Sequence, residues 1–214
     1  MVVSKESIIY PDSDGRPMSD NTEQFRWIVY IKEGLEWLFA DLPDVFVAGD
    51  LLWYPIEGAN KLRQAPDVLV AFGRPKGRRG SYKQWLEDNI PPQVVFEVLS
   101  PGNTLPEMTR KFQFYERYGV EEYYLYDPDR QILDGFVRRG DNLEGLDTVQ
   151  DWLSPRLGIR LGLRPTGELE IRRPDGVAFE SYEDLARRAQ QAERRAELLA
   201  ERLRALGIDP EEVR

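Results

Sequence analysis

Two short runs, "APDVLVAFG" at 65–73 and "QVVFEVLSPG" at 93–102, each set one carboxylate into an otherwise apolar strand pattern. Glu97 is flanked by Val94, Val95, Phe96, Val98 and Leu99, so neither face of that strand reads as solvent-exposed. Asp67 stands at the head of Val68, Leu69 and Val70. Read singly, Asp67 is a turn residue after Pro66 and Glu97 an edge-strand acid. Read together, they are costly groups unless paired, hydrogen-bonded or bound to metal. Two carboxylates on neighbouring strands can hold one divalent cation.

The chemistry open to this chain is narrow. Its 214 residues contain no histidine and no cysteine. That excludes Ser-His-Asp and Cys-His catalysis, disulfides and His- or Cys-ligated metals. A metal held by carboxylates alone is a hard cation such as Mg²⁺ or Mn²⁺. Hydrophobic residues make up 41% and charged residues 31%, which suits a folded, soluble protein. No apolar run is long enough to span a bilayer and no signal-peptide pattern is present, so no membrane partner is expected. The lack of cysteine suits a reducing compartment, and a cytoplasmic protein is expected. The net charge is −9. Residues 1–60 carry 4 basic and 11 acidic groups, leaving 25 and 27 for the remainder. The acidity is thus mostly N-terminal, and a basic surface further on remains open.

The pattern predicts a helix over about 20–41, opened by the capping box Asp20-x-x-Glu23. Strands follow at 45–55, 65–72 and 93–99. A second box, Thr104-x-x-Glu107, opens a helix running to about Tyr118 and stopped at Gly119. "EEYYLYDPD" (121–129) reads as a strand, and 131–180 as short strands and turns. From Ser181, Leu185, Ala189, Ala192, Ala196, Leu199, Leu203 and Leu206 form a heptad seam. Two domains are expected, 1–180 and 181–214, with the seam making a homodimer.

The runs "PDVLVA" and "FEVLS", some thirty residues apart, resemble the PD-(D/E)XK nuclease superfamily. With "RGSYKQW", "SPGNT", "RKFQFYERYGVEEYYLYDPD" and the tail "LRALGIDP", the chain more closely resembles the Uma2 family of restriction endonucleases. The resemblance is close over 45–135 and looser elsewhere. It implies a restriction-endonuclease-like α/β core, a mixed sheet flanked by helices, here with a β-rich extension and a C-terminal helix. It also implies Mg²⁺-dependent hydrolysis of DNA phosphodiester bonds, with Asp67 and Glu97 as metal ligands and catalytic acids. Two residues after Glu97 the superfamily pattern has lysine, and this chain has Leu99. The resemblance implies that Lys111, on the following helix, supplies it.

The helix wheel is consistent with that. With Met108 at 0° and about 100° per residue, Phe112 falls near 40° and Tyr115 near 340°, so these three define the buried stripe. Lys111 falls near 300°, at the stripe's border, where a lysine can bury its stem and bring its ammonium to the sheet's rim. The plainer reading is an i,i+4 pair with Glu107.

Arg74, Lys76, Arg78, Arg79 and Lys83 form the densest basic stretch of the core. They read either as phosphate contacts or as a solvated loop. Tyr82 and Trp85 beside them read as packing groups or as base-stacking surfaces, and Asp50 as a candidate third acid. Against the nuclease reading stands a dimeric scaffold that keeps the fold without the in-strand lysine.

Overall fold

The computed structural model describes residues 8–13, 15, 17, 19–207 and 209–210. It divides into two compact units, Met1–Phe179 and Glu180–Arg214. In the first, helix α1 (Thr22–Leu38) precedes strands β1 (Val45–Gly49), β2 (Trp53–Tyr54), β3 (Val68–Phe72), β4 (Tyr82–Lys83) and β5 (Val94–Val98). Helix α2 (Leu105–Arg117) leads to β6 (Glu122–Asp127), β7 (Ile132–Arg139) and β8 (Asn142–Gly145), then to β9 (Trp152–Leu153), β10 (Arg160–Leu163) and β11 (Leu169–Arg172). A mixed α/β architecture results, as the resemblance implies. Its main sheet has the order β1-β3-β5-β6-β7-β8, with β5 and β6 parallel and the other neighbours antiparallel.

The sheet is covered on both faces, which is why β5 is buried along its whole length. Val68, Val70, Val94, Phe96 and Val98 face α1, packing with Ile28, Ile31 and Leu35 and with Leu161, Leu169 and Ile171 of the β-rich extension. The alternate positions Leu69, Ala71, Val95 and Tyr123 face α2, packing with Trp53, Phe114 and Tyr115. The extension closes on α1 tightly. A Cβ added at Gly34 would lie 2.1 Å from the Phe179 ring, so only glycine lets helix and ring meet. Tyr30 donates its hydroxyl to the Phe179 carbonyl at 3.3 Å.

Three elements differ from the sequence pattern. Asn21, not Asp20, caps α1, its side chain accepting the Gln24 N–H at 2.8 Å. Glu23 instead accepts from Trp27 Nε1 at 2.8 Å, and Asp20 from Ser100 Oγ. The expected 45–55 strand breaks at Asp50, whose φ of +46° lies in the left-handed region. The chain resumes as β2, paired in parallel with β4 in a separate two-stranded sheet. Thr104 caps α2 with extended backbone but no side-chain hydrogen bond, and Pro106 stands in the first turn, where a missing N–H is tolerated. The expected stop at Gly119 holds, with φ at +94°.

The second unit holds helix α3 (Tyr182–Ala205), capped by Ser181 Oγ, which accepts the Asp184 N–H at 3.1 Å. Its seam leucines Leu185, Leu199 and Leu206 are exposed.

Candidate active site

The strand register sets the site. Val68 pairs with Phe96 and Leu69 with Val95 in the antiparallel β3–β5 ladder. One step further, the same register sets Asp67 opposite Glu97. Alternation points both acids towards α2. Directly opposed residues of an antiparallel pair have Cβ atoms about 4.5–5.5 Å apart, so the two carboxyl groups meet. Asp67 is 7% exposed and Glu97 2% exposed. Pro66 bars β3 from continuing, and the Asp67 side chain takes over the ladder: its Oδ2 accepts the Val98 N–H at 2.7 Å.

Helix α2 supplies the counter-groups. Lys111 Nζ donates to Glu97 Oε2 at 2.8 Å, and Tyr115, one turn on, donates its hydroxyl to Glu97 Oε1. Lys111 thus turns to Glu97 rather than to Glu107, and its side chain is 14% exposed. Burial pushes the Asp67 carboxyl well above the usual carboxylate range, and the neighbouring Glu97 pushes it further. Lys111 and the Val98 N–H pull the other way without reversing it. The side-chain contact with Glu97 adds to the upward shift. Burial acts to lower the Lys111 ammonium, but Glu97 and Asp67 outweigh it and the pKa is raised. Tyr115 is pushed well up, by burial and then by Glu97, so its hydroxyl remains a donor.

Formally, two carboxylates against one ammonium leave one excess negative charge in a desolvated place. A retained proton relieves that charge, and so would a bound cation. Hard oxygen donors on one rigid ladder fit Mg²⁺ or Mn²⁺. Among the described residues no group of three or more acidic, histidine or cysteine ligands assembles, so Asp67 and Glu97 would be the acidic donors. Asp50 adjoins them through its backbone, donating its N–H to the Asp67 carbonyl at 3.2 Å.

The backbone beside the site is held by groups that no local sequence pattern singles out. Gln24 of α1, buried, donates Nε2 to the Val98 carbonyl at 2.8 Å and accepts the Asp20 N–H at 2.8 Å. Asn103 Oδ1 accepts the Ser100 N–H at 2.8 Å. Both backbone polar groups of Val98 are therefore held, its N–H by Asp67 and its carbonyl by Gln24.

The basic stretch 74–83 departs from the opposite end of β3. Asp67 and Gly73 are six residues apart along an extended strand, or about 20 Å. Arg79 grips both Glu87 oxygens, at 2.6 and 3.1 Å, and lies 3.9 Å over the Phe46 ring. Arg74 pairs with Glu87 and Asp88. Lys76 caps the end of α1, donating to the Ala40 carbonyl at 3.0 Å. Lys83 lies 5.5 Å over the Tyr10 ring. Arg78 is exposed. Tyr82 is buried and stacks on Phe46, and Trp85 packs on Tyr10.

No curated protein matches this chain. A crystal structure of "a putative nuclease belonging to DUF820" from Anabaena variabilis is similar to it, with a TM-score of 0.46 and 18% identity over 65% of this chain and 74% of that one. The model of the Uma2 family, described as "Putative restriction endonuclease", matches residues 20–171. That is well over half of the 214 residues, and the chain belongs to the Uma2 family.

Proposed function

We propose that this protein is a divalent-cation-dependent endonuclease that hydrolyses DNA phosphodiester bonds at the Asp67–Glu97 pair. The observation that carries this reading is the meeting of two buried carboxylates from adjacent strands with a helix lysine on one of them. Asp67 and Glu97 would hold Mg²⁺ or Mn²⁺, which when bound polarises the phosphate and acidifies water. Two acids suffice for such a cation because substrate phosphate commonly completes its shell. With a divalent cation bound, the two carboxylates and Lys111 together carry one net positive charge, which complements one phosphodiester anion. Lys111, held by Glu97 at the rim, is placed to stabilise charge developing on the phosphoryl oxygens. Tyr115 fixes the second Glu97 oxygen and so orients the carboxylate. The family's description as restriction endonucleases supports DNA as the substrate.

A cleavage panel tests this. Linear duplex, single-stranded and branched DNA, with RNA alongside, are incubated with Mg²⁺, Mn²⁺ or chelator. Cleavage of DNA that needs the cation and is lost in Asp67→Asn and Glu97→Gln is expected. Cleavage that persists in chelator, or that both variants retain, overturns the assignment. The exposed α3 seam supports a homodimer through that helix, since small residues and leucines at heptad spacing let two copies approach closely.

A further inference from the structure

Two adjoining clefts of about 440 and 310 Å³ share Lys61, Arg63, Gln64 and Arg110. The first also reaches Ala65, two residues before Asp67, and Glu107, one turn before Lys111. The second runs on to Gln113 and Arg117. One wall is the segment before β3 and the other is α2, where Arg110, Gln113 and Arg117 recur at helical spacing along one face.

The wall formed by the segment is held firmly. Gln64 and Trp53 exchange both backbone hydrogen bonds, at 2.7 and 3.2 Å, and the Trp53 ring stacks on Tyr115. Arg63 donates Nη1 to the Asn60 carbonyl at 3.2 Å. Four cations line this groove. In a chain with 38 acids against 29 bases, no ion pair among the described residues uses Lys61, Arg63, Arg110 or Arg117. Glu107 is the only carboxylate among the lining residues. Of the 74–83 stretch, Arg74 and Arg79 are paired with Glu87.

We infer that this groove is the phosphate track of the substrate: a nucleic-acid strand leaves the acid pair past Arg110 and runs along α2 towards Arg117, with Lys61 and Arg63 on its other side. Seven helical residues separate Arg110 from Arg117, about 10.5 Å along the axis. That is far enough for the two guanidiniums to reach different phosphates of one strand. Such contacts carry register and affinity rather than sequence choice.

The inference rests on the nuclease reading, and the test separates the two. Binding of fluorescently labelled 20-mer duplex and single-stranded DNA, with an RNA 20-mer alongside, is measured by anisotropy in chelator across a salt series. Cleavage is followed in parallel with Mg²⁺ or Mn²⁺. The variants are Arg110→Gln/Arg117→Gln and, for the same charge loss elsewhere, Arg139→Gln/Arg187→Gln. The groove variant is expected to bind at least 10-fold more weakly, with the log–log salt slope shallower by about 2, since each phosphate contact contributes about 0.9. The control should bind like wild type. The arm that shows the loss identifies the strand form the groove takes. If wild type cuts and binds DNA but the groove variant matches it in affinity and slope, the groove falls and the nuclease reading stands. An equal loss in the control also overturns the groove, because bulk charge then explains the effect. If wild type neither binds nor cuts any of the nucleic acids, both readings fall.

Discussion

Lys111 and Tyr115, one helical turn apart, each take one oxygen of Glu97. The carboxylate is held from both sides by a single helix, so a change at either residue reaches the strand through one defined contact. For Lys111 the expected result is chemical. Lys111→Met should lower DNA cleavage by about 10²–10³-fold, the usual cost of losing one group that stabilises transition-state charge. The helix content and Mn²⁺ affinity should be retained. Steady-state cleavage and circular dichroism check this, and a variant that cuts within a few-fold of wild type would make Lys111 a purely structural counter-ion.

The acid pair makes a prediction about metal alone. Titrating Mn²⁺ into the protein by calorimetry should give weak binding without DNA, because the substrate phosphate is absent from the shell. Added non-cleavable DNA should tighten it. In Glu97→Gln the heat should fall to that of non-specific surface binding. Equal affinity in wild type and variant would place the cation elsewhere.

Glu122 offers a pH test away from the site. It is buried and accepts from Tyr124 at 2.9 Å, the Arg156 N–H at 2.6 Å and Ser154. Burial still raises its pKa above the ordinary glutamate value of 4.5, although these donors oppose the shift. The folded chain therefore keeps this proton at a pH where the unfolded chain has lost it. Its contribution to stability is greatest below 4.5 and is lost as pH rises through the folded-state value. The urea midpoint of wild type relative to Glu122→Gln should accordingly decline from acid towards neutral pH. A difference that is flat, or that grows with pH, contradicts this.

The α3 seam predicts a concentration-dependent dimer. Sedimentation should show that the full chain associates and that a chain stopped at Phe179 loses at least part of that association. Both forms running as monomers at high concentration would leave the seam without a partner of its own kind.

How far the sequence discloses this site differs from residue to residue. Asp67 and Glu97 stand out because an acid in a doubly covered strand is costly, and that cost is visible in the neighbours alone. The wheel of α2 sets Lys111 and Tyr115 on one stripe, but a buried tyrosine there reads as packing, and nothing local reveals its bond to Glu97. The register that opposes Asp67 to Glu97 is a long-range choice between residues 30 positions apart, which no local pattern fixes. Gln24 is hidden for the same reason, since its partner is the Val98 carbonyl 74 residues away. Charge density along the chain and charge density in space differ here. The crowded cations at 74–83 meet Glu87, Asp88 and the end of α1, whereas Lys61, Arg63, Arg110 and Arg117 are scattered in sequence and gather only in space. The break at Asp50 lies inside an apolar run, where period-two reading carries straight through it.

The contact between Gly34 and Phe179 also orders events in time. Among the described residues helix α1 precedes every strand of its unit, and the ring that closes on it belongs to the last residue of that unit. During synthesis the helix must wait for 145 further residues, counted from 34 to 179, before that cover exists. Its apolar stripe of Ile28, Ile31 and Leu35 meets the sheet earlier but stays open on the extension's side. Such distant pairing slows folding and lengthens the exposure of sticky surface. A nascent chain halted before Phe179 is therefore expected to hold the acid pair's strands without their finished roof.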